Sequence, residues 1–90
     1  MFANKDFAFI DTVYFEILSI DAYDISIRSR CTGHYWRIVN RGYPREKSCL
    51  VYHKHTYRTP YHLQGNAKNL KKAIRDIKDH DIFQQTCRTK

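Results

Sequence analysis

Three histidines, three tyrosines, a lysine and an arginine crowd into the run Ser48 to His62, SCLVYHKHTYRTPYH. It opens as a β-branched and aromatic strand and dissolves into groups that can hold a phosphate, a metal or a shared proton. His55 and His62, with Arg58 and a nearby tyrosine such as Tyr57 or Tyr61, supply the parts of a metal-independent ribonuclease: a base, an acid and cations for the developing phosphorane charge. No spacing in the run forces those groups to converge, and alternation along the strand puts His53 on the packed face. Catalysis is therefore the lesser reading, and the chain is expected to be a binding protein and not an enzyme.

A metal centre is the other chemistry in view, because Cys31-x2-His34 and Cys49-x3-His53 look like paired zinc ligands. Strand geometry separates them. Cys31 and His34 belong to a turn beside the end of the strand that carries His53, whereas Cys49 lies at its far end, roughly 13 Å from His53 at the rise of an extended strand. A smaller set, Cys31, His34 and His53 or His55, is the arrangement that strand geometry leaves open. The expectation is no metal and no cofactor.

Charge points to a different partner. The 90 residues carry a net +7, unevenly placed. From Met1 to Ile27 five acids stand against Lys5, a net of −4, whereas from Arg28 to Arg75 twelve Lys and Arg stand against Glu46, a net of +11. A block this one-sided implies an anionic partner, nucleic acid foremost. The chain is too aromatic, with seven Tyr and five Phe, to be disordered and too interrupted by charge to cross a membrane. No charged n-region followed by an apolar stretch opens it, and three cysteines without framework spacing fit a reducing interior, so a cytoplasmic setting is expected.

The elements that position these residues follow from periodicity. A strand is expected over residues 12–20, with Val13, Phe15, Ile17 and Ser19 on one side, although Phe9, Val13, Ile17 and Ile20 also fit a helix. A second strand, 23–30, alternates Tyr23, Ile25 and Ile27 against Asp24, Ser26, Arg28 and Arg30. Cys31 to His34 supplies a turn with Gly33 available for positive φ, and strands over 35–41 and 48–55 complete a meander. Pro60 excludes helix, and a loop runs on to Asn66. From Ala67 the period changes: Leu70, Ala73, Ile74 and Ile77 share one arc while Lys68, Lys71, Lys72, Arg75 and Lys78 line the other, giving a helix over 67–80 capped by Asn66 or Asn69. The tail 84–90 is expected to fray.

The fold class that results is α+β: a single domain spanning 1–90, with a small antiparallel meander of three to four strands packed on one C-terminal amphipathic helix. Pairing Arg30 with Tyr35 and Arg41 with Ser48 sets Ile25, Ile27, Trp36, Ile38, Cys49, Val51 and His53 on the helix side. The other side collects Arg28, Arg30, Tyr35, Arg37, Arg41, Tyr52 and Lys54, with Arg28 directly across from Arg37. Like charges so placed repel and call for an anion, unless the acidic N-terminal segment supplies it. The element order from Tyr23 to His80 resembles the small sheet-plus-helix DNA-binding domains at the N-termini of tyrosine recombinases and in AP2-type proteins. That resemblance implies that the free sheet face, here the arginine face, enters a groove. The expectation is thus a small basic protein that binds DNA or RNA through this face, with Lys71 and Lys72 of the helix as a second contact. A protein partner, as for an inhibitor of a host enzyme, would use the same residue types.

Overall fold

The structure, a computed structural model, describes residues 2–40 and 48–83. A 3-10 helix, η1 (Asn4–Phe9), leads into strands β1 (Phe15–Ile20), β2 (Asp24–Ser29), β3 (Tyr35–Asn40), β4 (Cys49–Lys54) and β5 (His62–Ala67), followed by α1 (Leu70–Phe83). The five strands form one antiparallel sheet in the order β1-β2-β3-β4-β5. The α+β class and the C-terminal helix are as expected, and the sheet has one strand more. The expected turn at Gly42, Arg41 itself and the tail 84–90 lie outside the described residues.

Strict alternation builds the core. Ile25, Ile27, Trp36, Ile38, Cys49, Val51 and His53 all point to the helix side and are buried, and Leu70, Ala73, Ile74 and Ile77 of α1 close over them. Asn69 caps the helix, its Oδ1 accepting the Lys72 amide at 2.8 Å. That leaves the first turn tied down without an acidic residue.

Four expectations need correction. First, β3 and β4 pair in the expected register, Tyr35 with Lys54 and Arg37 with Tyr52, but β2 and β3 are shifted by two residues, so that Arg28 faces Tyr35 and Arg37 faces Ser26. The cause is the turn. Ser29 and His34 close the ladder through Ser29 N–H to His34 O at 2.9 Å, Gly33 takes φ of 75°, and Arg30 falls into the turn and leaves the sheet. A shift of two keeps every side chain on its face, which is why the core survives while the arginine pair does not. Second, β1 is shorter than expected and carries a bulge between Ile17 and Ser19, which turns Ser19 to the face opposite Phe15 and Ile17 and leaves Val13 85% exposed before the strand.

Third, residues 62–67 form a strand where a loop was expected. HLQGNA has neither alternation nor β propensity, and it is held by pairing to β4, with a bulge at Gln64 between Val51↔Gly65 and Tyr52↔Leu63. Fourth, the helix runs on past His80 to Phe83. Asp81 and not an apolar residue fills the last inward position, fully buried and accepting hydrogen bonds from Ser29 Oγ at 2.6 Å and Tyr14 OH at 2.8 Å.

Because α1 meets one thin sheet, each apolar contact of the helix is hard to replace. Ile74→Ala is expected to lower unfolding free energy by about 2 to 5 kcal/mol, the range for opening a cavity at a buried large aliphatic position. A urea melt that barely moves would contradict the packing of α1 on the sheet.

Candidate functional site

The face of the sheet turned away from α1 carries the expected binding residues in cross-strand rows. One row reads Glu16, Arg28, Tyr35, Lys54 from β1 to β4, and the next reads Ser19, Ser26, Arg37, Tyr52, Leu63. In the first row the cations flank an aromatic ring: the Arg28 guanidinium lies 5.5 Å and Lys54 Nζ 5.3 Å from the Tyr35 centroid. The loop between β4 and β5 adds two more rings to Lys54, Tyr57 at 5.4 Å and Tyr61 at 4.5 Å. Lys54 Nζ also donates to the Tyr57 carbonyl at 2.9 Å, which anchors the loop over the sheet. Arg28 Nε donates to Gly33 O at 3.3 Å, so the β2–β3 turn fixes its direction.

The second row is balanced internally. Arg37 forms a bidentate pair with Asp24, its Nε within 3.0 Å of both carboxylate oxygens and a terminal nitrogen on Oδ2. That pairing outweighs burial and raises the Arg37 pKa. Tyr61 reaches across to hydrogen-bond with Ser26, and burial pushes its phenol up. The acidic N-terminal half thus supplies a counter-ion to Arg37 through Asp24, Glu16 pairs across the ladder with Arg28, and Arg28 and Arg37 are not directly opposite each other.

The remaining expected site residues are scattered. Arg30 is exposed in the β2–β3 turn, its amide bonded to Tyr14 O at 3.0 Å. Lys71 and Lys72 lie on the outer side of α1, across the sheet from the Tyr35 row. Lys72 is paired with Asp76 at 2.8 Å, and Lys71 sits 5.6 Å from the Phe9 centroid. Among the described residues no carboxylate lies within salt-bridge distance of Lys68, Lys71 or Arg75. Arg58 is exposed on the β4–β5 loop.

On the helix-side face all five histidines of the chain come together. His53 sits at the centre, 2% exposed against Trp36, with ring centroids 5.0 Å from His34, 4.8 Å from His55, 5.3 Å from His62 and 5.2 Å from His80. His53 Nε2 is 3.1 Å from His34 Nδ1, and the His34 and His55 rings stack at 4.3 Å. One ring nitrogen from each of His34, His53 and His55 falls within 4.8 Å of the other two, which makes these three the residues placed to hold a metal. Cys49 is buried at the other end of β4, and among the described residues Cys31 is not one of those whose ligand atoms converge, so neither cysteine joins them. The ribonuclease pair His55 and His62 is drawn into this cluster, with the buried His53 between them.

His80 is the histidine that sequence reasoning left out of this group, whereas His34 entered it through the set Cys31, His34 and His53 or His55. The signal for His34 was available: the register that sets Trp36 opposite His53, extended by two residues on each strand, sets His34 across from His55. His80 needed the tertiary position of α1. No protein-family model, curated protein or solved structure matches the chain.

Burial drives His53 down to about 3 from an ordinary 6.5, and repulsion from the surrounding imidazoles adds to it. Burial likewise lowers His34, with His55 contributing. The folded state therefore keeps His53 neutral where the unfolded chain takes up a proton. Its contribution to stability is complete above pH 6.5 and is lost as the pH falls from there toward 3. The slope of unfolding free energy is expected to approach about 1.4 kcal/mol per pH unit in that window and to flatten in His53→Gln. Equal slopes in the two proteins would contradict a neutral buried His53.

Proposed function

We propose that the protein binds single-stranded nucleic acid on the sheet face turned away from α1. The observation that carries this reading is the row Arg28, Tyr35, Lys54 with Tyr57 laid beside it. Cations and aromatic rings alternate there over four neighbouring positions, and Tyr57 is 76% exposed. Phosphates need the cations, and unstacked bases need flat aromatic surface, a combination typical of sequence-tolerant single-strand binding. Arg37 and Tyr52 border this surface, with Asp24 limiting what Arg37 offers a phosphate. The helix lysines lie too far around the molecule to share one short strand with the row.

A second reading has its own observation. β1 is an edge strand pairing with β2 alone, and it exposes Leu18 and Ile20 along an open edge. An edge of this kind offers a partner protein strand a template for pairing. No helix among the described residues is long and apolar enough to cross a membrane.

The test is affinity for a labelled single-stranded oligonucleotide of about twelve nucleotides, a length within the range that single-strand-binding domains occupy, measured at two salt concentrations. Tyr57→Ala is expected to cost about 1 to 3 kcal/mol of binding, the value of one stacked base, with an unchanged melting temperature. Lys54→Ala and Arg28→Ala should each flatten the salt slope by about one phosphate contact. Arg28→Ala should also lower stability slightly, because its bond to the Gly33 carbonyl goes with it. Loss of binding in a Lys71→Ala, Lys72→Ala double variant with no effect of the sheet-face changes would contradict the proposal. Binding indifferent to both sets would leave the edge-strand reading.

A further inference from the structure

We propose that His34, His53 and His55 form a binding site for a divalent transition metal of zinc's class, open to solvent on the His55 side. The site lies on the opposite face of the sheet from the nucleic-acid surface and does not depend on it.

The ligand atoms are nearly in place. Zinc–nitrogen bonds of about 2.0 to 2.1 Å in tetrahedral geometry put two ligand nitrogens about 3.3 Å apart. His34 Nδ1 and His53 Nε2 are already 3.1 Å apart. A ring nitrogen of His55 lies within 4.8 Å of a ring nitrogen of each of the other two. His55 is exposed just past the end of β4, so rotation of its side chain can close the remaining distance without moving the sheet. The other two ligands are held by packing: His53 is paired with Trp36 across the β3–β4 ladder, and the His34 backbone is fixed by its carbonyl's bond to the Ser29 amide and its own amide's bond to Thr32 Oγ1 at 3.1 Å.

Ordinary packing accounts for His53 against Trp36, with ring centroids at 4.1 Å, but not for imidazole nitrogens from separate elements aimed at one point. Among the described residues the His34–His53 contact is the one hydrogen bond joining any two of the five rings. His80 Nδ1 is buried with no hydrogen-bond partner, and its ring stands 5.2 Å from His53, so the polar capacity gathered here exceeds what the protein itself satisfies. Three neutral nitrogen donors without thiolates suit zinc, nickel or copper(II), and exclude the hard, oxygen-seeking calcium and magnesium. Lys54, His55, Thr59, Pro60 and His62 line an open cleft of about 290 Å³ beside the cluster, which gives an ion an entry path and leaves room for water as a further ligand.

The decisive experiment is calorimetric titration of chelator-treated, fully exchanged protein with zinc chloride, paired with the visible spectrum of the cobalt(II) form. One zinc per chain, a raised melting temperature and the intense d–d bands of tetrahedral cobalt are expected. His55→Ala and His34→Ala should each weaken zinc binding by more than the roughly tenfold loss that follows removal of a group merely supporting a ligand. Both positions are at least partly exposed, so circular dichroism of the variants should match the parent and separate loss of a ligand from loss of fold. Absence of one-to-one uptake, or uptake that both substitutions leave unchanged, would overturn the site.

Discussion

The carboxylate of Asp81, wholly buried near the end of α1, fixes how the helix sits on the sheet. A buried carboxyl group is costly unless every lone pair is used, and here the partners come from three separate parts of the chain. Ser29 at the end of β2 donates at 2.6 Å, Tyr14 before β1 at 2.8 Å, and Thr32 in the β2–β3 turn at 3.4 Å. Trp36 Nε1 in turn donates to Ser29 Oγ at 3.1 Å, which extends the network into the centre of β3. Burial, together with the bond to Asp81, pushes the Tyr14 phenol well above its usual range, so it remains a donor to Asp81. One side chain thereby ties the helix, the turn and the N-terminal segment together.

Both candidate sites inherit their geometry from that tie. The turn it holds carries Gly33, whose carbonyl orients Arg28 on one face, and His34, which meets His53 on the other. His80 precedes Asp81 directly and is set edge-on to Trp36 at 5.2 Å. The two faces then divide the polar residues by chemistry. The outer face gathers cations and tyrosines, where solvent can screen charge, and the inner face gathers imidazoles around His53, which burial keeps neutral.

How much of this can be read from the chain depends on whether a residue's position is fixed by alternation or by a turn. The core face was legible because a period of two survives a register error of two, and the β3–β4 register was legible outright. The β2–β3 register was not: four residues from Arg30 to Gly33 can be folded as more than one turn, and the choice depends on Asp81 bonding Thr32 and Ser29. The expected Arg28–Arg37 pair failed for that reason. β5 was illegible because Gln64, Gly65 and Asn66 carry no strand signal, and with it went the placement of His62 opposite His53. The expected helix end at His80 fails because Asp81, four residues on from Ile77, continues the buried arc as a carboxyl group, and only three donors distant in sequence make it a core residue.

The central claim is that the outer row of β2, β3 and β4 is the contact surface for nucleic acid. Amide chemical-shift mapping by NMR during titration with a short single-stranded oligonucleotide tests it most directly, since it reports every backbone position at once. Contact at that row predicts that the largest changes fall at Arg28, Tyr35, Lys54 and Tyr57 and spare the outer side of α1. Changes confined to Lys68, Lys71, Lys72 and Arg75, or a spectrum that the oligonucleotide leaves unaltered, would contradict it.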